Sequence, residues 1–281
     1  MFQKQKLAFV GGGVMAEAMI KGLLNTKSIK PEQISVSGLR SSRLKDLSNL
    51  YRIQTNTSNS QIVQDADIVL FTTKPQSFKS VAAEIKTHLK PGAFIISIQA
   101  GVSLTNLVKY TACSACVRAM PNTPAQIGAG MSVWVATQEV GDIQKQRAQY
   151  ILAALGAEIG VEDEDYLDMA TALIGTGPAY VFMFMEAMTE AGVHMGFPRH
   201  ISEKLVKETV KGAVLYSETS SKHLVELRNQ VTSPGGTTAA ALYQLEKGGF
   251  RTVISNAIFA AYQRSIELGA EKKKSSLDAI K

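Results

Sequence analysis

Two hydrophobic rhythms divide the chain. Up to about residue 160, short β-like runs alternate with stretches whose apolar positions recur at helical spacing. KLAFV leads through a glycine turn into VMAEAMIKGLL, and ISVSG precedes the helical pattern SSRLKDLSNL. ADIVLFTT, FKSVAAEIKTHL, GAFIISI, SACVRAM and SVWVAT continue the alternation. Such an order predicts βαβ units and a parallel sheet covered by helices on both faces. IVLF and FIISI lack polar alternation, as strands buried on both sides do. After residue 162 the strand signals stop, and long helical patterns follow, among them AYVFMFMEAMTEAGVHMG, RHISEKLVKETVKGAVLYSE and FRTVISNAIFAAYQRSIELG. The pattern predicts an α/β domain over 1–162, an all-helical domain over 163–270 and a disordered tail over 271–281.

One helical run is apolar all round. Tyr180–Met185 offers no polar face, so it must be covered on every side. A helical domain of about 110 residues has little depth for that, which predicts a second copy of the chain as the cover. The surrounding stretch MATALIGTGPAYVFMFM is interrupted by Gly175, Gly177 and Pro178. It falls short of the ~20 continuous apolar residues of a membrane span, so no membrane association is expected. The start MFQKQKLAFVGGG runs straight into a glycine turn without a cleavage site, so no secretory leader is expected, and reduced Cys113 and Cys116 favour the cytoplasm.

Composition changes this picture little. Hydrophobic residues make up 45% and charged residues 19% of the 281, as in soluble globular proteins. The net charge is +6, of which the tail AEKKKSSLDAIK holds +2, four lysines against Glu271 and Asp278. No basic stripe remains to suggest a nucleic acid, and a mildly basic protein handling small anions fits equally well. Cys113 and Cys116 form CSAC beside Val117, which reads as buried, reduced and structural. The four histidines show no metal-like spacing, so no metal is expected.

The candidate chemistry begins at LAFVGGGVMAEAMI. Gly11-x-Gly13-x-x-Ala16 stands between a strand and a helix, the context a dinucleotide-binding turn requires. Gly11 makes the tight turn, Gly13 admits a pyrophosphate, and the helix start at Val14 and Met15 supplies N–H groups and positive dipole. The next strand ends at Ser37 and is followed by GLRSSR. An NAD site would place Asp or Glu there, whereas Arg40, Ser41 and Arg43 suit a 2′-phosphate. The cofactor expected is therefore NADPH, with NADH possible. FTTKPQ (71–76), IQAG (98–101) and RAMPNTPAQIG (118–128) finish later strands and should line the same crevice. Near the C-terminus, VTSPGGTTAAALYQLE sets two glycines and two threonines ahead of an alanine-rich helix. That arrangement is an ordinary helix start or an anion site made from bare backbone.

FVGGGVMAEAMI, TTKPQ, RAMPNTPAQIG, GTGPAYVF and above all VTSPGGTTAAALYQLE resemble the pyrroline-5-carboxylate reductases, over Lys6 to about Gly269. The resemblance implies a Rossmann-type domain followed by an all-α dimerisation domain. It implies hydride transfer from NADPH or NADH to the C=N bond of a cyclic imine acid, giving L-proline, and a dimer that often joins a ring of dimers. It carries cofactor contacts onto Asn59, Thr73, Lys74 and Pro75, onto Ala100 and Gly101, onto Pro121 and Asn122, and onto Glu164. It carries substrate contacts onto Val231, Ser233, Gly235, Gly236, Thr237 and Thr238, with the Thr238 hydroxyl at the ring nitrogen, and across the dimer onto Gly175 and Thr176. Departures from the family pattern are Gly12, Thr176, Leu224 and Asn229.

Two other readings stand beside this one. The β-hydroxyacid dehydrogenases share the architecture, but they protonate an alkoxide with a helical lysine after a Gly-x-Gly turn. GTGPAYVFMFME has only apolar residues up to Glu186, and a protonated imine needs no strong acid on accepting hydride. The second alternative, a non-catalytic NADPH-binding regulator, would have no reason to keep SPGGTT.

Overall fold

The computed structural model describes residues 2 and 4–278, with side-chain surroundings as far as Glu267. Its first half runs β1 (Leu7–Val10), α1 (Val14–Asn25), β2 (Ile34–Ser37), α2 (Ser41–Tyr51), β3 (Gln54–Asn56), α3 (Asn59–Val63), β4 (Ile68–Phe71) and α4 (Phe78–Ile85). There follow β5 (Phe94–Ser97), α5 (Leu104–Thr111), β6 (Cys116–Pro121), β7 (Gly130–Ala136), α6 (Asp142–Ala153) and β8 (Gly156–Gly160). The strands form one sheet in the order β3-β2-β1-β4-β5-β6-β7-β8. Every neighbouring pair is parallel except β6 and β7. The short link Asn122–Ala129 allows that antiparallel return, where a parallel one would need a crossover. Two strands lay outside the apolar runs. β3 (QTN) is polar and at the edge, and β8 (GAEIG) is paired on one side only.

Side-chain alternation along the strands assigns the two faces. Leu7 and Phe9 of β1 join a core with α1, α2 and α6, while Ala8 and Val10 join one with α3, α4 and α5. Phe9, Phe71, Phe94, Leu23 and Ile68 are fully buried, so burial of their apolar area drives assembly of this layer.

The remaining helices are α7 (Tyr166–Ala170), a π-helical turn at Thr171–Gly175, α8 (Gly177–His194), α9 (Arg199–Thr219), α10 (Leu224–Gln230), α11 (Thr237–Lys247) and α12 (Phe250–Asp278). Residues 279–281, the end of the expected tail, lie outside the described residues. Contacts group the chain into Met1–Thr176 with Ala261–Lys281, and Gly177–Ala260. Residues 163–176 thus fall with the sheet, where Leu167 and Ala170 pack on Val133 and Val135.

The expected interruption of the apolar run by Gly175, Gly177 and Pro178 is corrected. Tyr166–His194 forms a helical segment of 29 residues, long and apolar enough by composition to cross a membrane. The π turn contains Gly175, while Gly177 and Pro178 open α8, whose first turn tolerates the missing proline N–H. Within the second unit, Phe182 is 63% and Met183 73% exposed. α8 and α9 close on each other where a Gly192 Cβ would strike Ser202, whose hydroxyl donates to the Thr189 carbonyl at 2.8 Å.

A less yielding approach joins α1 to the end of α6, where a Cβ on Gly22 would run into the backbone carbonyl of Ala154. Gly22→Ala should therefore cost about 1–3 kcal/mol through overpacking. Urea denaturation measures it, and unchanged stability would contradict this packing.

Candidate active site

The strand order reverses between β1 and β4, so the loops leaving their carboxyl ends diverge and open a crevice. Gly11 lies at its floor with φ +112°, and a Cβ there would stand 2.8 Å from both the Thr73 N and its Cγ2. Only glycine satisfies both the conformation and the contact. Gly13 differs, since a Cβ there would meet nothing nearer than the Thr72 carbonyl at 3.9 Å. The chain itself does not require a bare backbone at Gly13, which leaves open space there for a ligand to approach. α1 starts immediately after Gly13 without a side-chain cap, leaving its first N–H groups, at Val14 and Met15, facing out of the helix. This cradle fits a dinucleotide pyrophosphate.

Next to it, the end of β2 separates the basic cluster. Arg40 is exposed, is the N-cap residue of α2 and precedes the exposed Ser41. Arg43 is already engaged: it pairs with Glu17, and its Nε donates to the Gly12 carbonyl at 3.1 Å. The Tyr51 hydroxyl donates to the other Glu17 oxygen at 2.9 Å. Hydrogen bonding from Arg43 outweighs partial burial and holds the Glu17 carboxyl below its ordinary value. Burial, and then the bond to Glu17, push the Tyr51 phenol up. Ser37 is fully buried and its hydroxyl donates to Asn59 Oδ1 at 2.6 Å. Asn59 donates in turn to Glu84 from its side chain at 2.7 Å and from its backbone at 3.1 Å.

On the other side of the crevice, Thr73 is half-buried, Lys74 exposed, and Pro75 opens a short 3-10 turn. Ala100 is exposed, and Gly101 takes φ +68°. Pro121 is buried at the end of β6, and Asn122 Oδ1 accepts from the Met131 N–H at 2.9 Å. Glu164 accepts from Arg118 at 2.7 Å and from the Leu104 N–H at 2.9 Å, so its carboxylate anchors the start of α5. Arg118, with 7% of its side chain exposed, also reaches Asp168 at 3.5 Å, which accepts from Ser265 at 2.9 Å. Sequence reasoning missed this cluster, whose only signal was a single charge in the buried run CVRAM. Gln99 lies inside the IQAG loop expected to line the crevice, but its carboxamide was not singled out there.

The remaining named residues fall in two places. Gly175 and Thr176 belong to the sheet-containing unit, and the Thr176 hydroxyl donates to the Ala172 carbonyl at 2.6 Å. Val231, Ser233, Gly235, Gly236, Thr237 and Thr238 belong to the helical unit. There Ser233-Pro234-Gly235-Gly236 makes a tight turn, with proline second, Gly235 third at φ +69°, and the Gly236 N–H closing onto the Ser233 carbonyl at 3.1 Å. A Cβ on Gly236 would collide with the Ser233 hydroxyl. Gly236 is the N-cap of α11 and contributes no side-chain cap. Because its own N–H is spent on the turn, the donors at the bare start of α11 are those of Thr237 and Thr238. Ser233 is exposed and Thr238 half-buried.

Cys113 and Cys116 are free thiols. Hydrogen bonding to Cys113, and burial, push the Cys116 thiol far up, while Cys113 is lowered by the same bond. Among the described residues, no group of three or more His, Cys, Asp or Glu is placed to hold a metal ion.

A dinucleotide crevice in a sheet unit, joined to a helical unit with a bare helix start, defines a dinucleotide-dependent oxidoreductase. Residues 164–268 match the family model described as pyrroline-5-carboxylate reductase dimerisation. Residues 6–101 match one described as NADP oxidoreductase, coenzyme F420-dependent. The pyrroline-5-carboxylate reductase of Synechocystis is 40% identical over 94% of this chain and 98% of its own length. That of Arabidopsis thaliana is 35% identical over 94% and 95%. The solved pyrroline-5-carboxylate reductase of Coxiella burnetii has a TM-score of 0.89 at 35% identity, covering 95% of this chain and 99% of that one. The Plasmodium falciparum pyrroline carboxylate reductase, solved with NADP bound, has a TM-score of 0.84 at 32% identity, with 95% and 99% covered. The chain belongs to the pyrroline-5-carboxylate reductase family.

Proposed function

We propose that the protein reduces 1-pyrroline-5-carboxylate to L-proline, the last step of proline biosynthesis, using NADPH in preference to NADH. The observation that carries this reading is the turn Ser233–Gly236 ahead of α11, in a family whose relatives are named for this imine acid. When bound, the dinucleotide supplies the hydride. The Gly11–Met15 turn would hold its pyrophosphate, and Arg40 with Ser41 its 2′-phosphate. The backbone N–H groups of Thr237 and Thr238, with the Ser233 hydroxyl, hold the substrate carboxylate. The Thr238 hydroxyl bonds the ring nitrogen and fixes the face of the C=N bond. As hydride adds to carbon, the C=N electron pair passes to nitrogen and neutralises the iminium charge. No side chain has to donate a proton at that moment, and the amine takes one up from water afterwards.

A homodimer formed through the helical unit belongs to the same reading, with a ring of dimers as the larger assembly. Its support is the exposed apolar surface of α8 within a segment matched to a dimerisation model. We assign that surface to a second copy rather than to a bilayer. Free thiols at Cys113 and Cys116 fit a reducing, cytoplasmic compartment.

The direct test follows NADPH oxidation by absorbance with pyrroline-5-carboxylate, and no turnover would overturn the reading. Thr238→Ala should keep fold and cofactor binding yet lose on the order of 1–3 kcal/mol of transition-state stabilisation, with Thr238→Val behaving alike. Wild-type turnover in both variants would remove the hydroxyl from the mechanism. Arg40→Ala should raise KM for NADPH about tenfold or more while moving that for NADH little. Equal changes would place the 2′-phosphate elsewhere. Sedimentation at low micromolar concentration should return a dimer or a multiple of it, with an interface above ~2,000 Å². A folded, active monomer would refute the assembly.

A further inference from the structure

We infer that Gln99 is a positioning residue for the nicotinamide end of the cofactor site, an inference that rests on the dinucleotide reading above. Gln99 lies two residues beyond β5 and is only 2% exposed. Its Nε2 is 2.9 Å from Thr73 Oγ1, 3.1 Å from the Thr73 carbonyl and 3.3 Å from the Lys74 carbonyl. Two hydrogens are thus shared among three acceptors, all on the loop that follows β4. The last backbone bond between these strands on the carboxyl side runs from Ile98 N–H to the Phe71 carbonyl at 3.2 Å. Beyond it the Gln99 carboxamide takes over and straps the β5 loop to the β4 loop. A buried carboxamide left without partners is costly, so the strap holds the two loops at one spacing.

The placement gives the strap its role. The end of β2, with Arg40, takes the adenosine phosphate, and the β1 turn takes the pyrophosphate. The rest of the dinucleotide must then extend over the opposite side of the switch point, above the loops after β4 and β5. Thr73 stands there, half-buried, accepting a hydrogen bond from Gln99 through Oγ1. Because Gln99 is the donor, this bond does not use the Thr73 hydroxyl proton. The same residue packs against Gly11, so the strap reaches from β5 through Thr73 to the phosphate turn.

The test divides the cofactor in two. Gln99→Leu keeps the approximate volume and removes the donors. Calorimetry on the full chain would measure dissociation constants for NADPH and for 2′,5′-ADP, which carries the adenosine half alone. The expected result is a roughly five- to tenfold loss for NADPH, with 2′,5′-ADP changed less than about twofold. Equal losses for both ligands would reduce Gln99 to a general support of the fold, and no loss for either would remove it from the site; both overturn the inference. If Gln99→Leu does not fold, Thr73→Val takes its place, since it deletes the accepting hydroxyl and keeps the branch. The same split is expected there, and an even loss overturns the inference. A wild-type protein that binds neither ligand would instead defeat the cofactor reading.

Discussion

The contact between Gly11 and Thr73 governs the sheet-containing unit. β1 has β2 on one side and β4 on the other, and the chain must leave β1 and β4 in diverging directions. Thr72 pins the divergence, donating its hydroxyl to the Gly11 carbonyl at 2.7 Å and to that of Val10 at 3.1 Å. The close approach admits no Cβ on Gly11, and the left-handed turn it takes aims the first N–H groups of α1 into the crevice. Arg43 fixes the following carbonyl, Gly12, from the opposite side. Phosphate cradle, crevice and loop spacing all follow from two backbones brought within one atom's width.

Much of this was legible in the sequence, because the two glycine turns themselves are specified locally. Glycine spacing between an apolar run and a helical one specifies the turn, and SPGGTT specifies its counterpart before α11. Other features depend on partners distant in the chain. GLRSSR shows a basic cluster, but only the fold shows that Glu17, from α1, has already taken Arg43. An acidic residue at 164 does not reveal that it serves Arg118 and the start of α5. The polar strand β3 carries no hydrophobic pattern, since an edge strand needs only backbone partners. Gly175, Gly177 and Pro178 look like breakers because propensity treats residues singly, whereas a π turn followed by a new first turn accommodates all three.

The two units hold themselves together differently. The sheet has full cores on both faces, whereas in α8 and α9 the buried residues are few and mostly small, Thr189, Gly192, Ser202 and Val206. α11 has none among its described residues. A unit with so little interior of its own contributes surface rather than core. Its apolar side chains are arranged to be buried by something else, as obligate interfaces are.

The path of the chain adds a constraint of timing. The polypeptide leaves the sheet-containing unit at Thr176 and rejoins it at Ala261, so the helices between are an insertion in sequence terms. Ser265, near the end of the chain, supplies the hydroxyl that completes the Arg118–Asp168 cluster. During synthesis, Asp168 therefore waits for a hydroxyl that comes 97 residues later in the chain. A chain interrupted before α12 returns would leave Asp168, the partner of the buried Arg118, without the Ser265 hydroxyl.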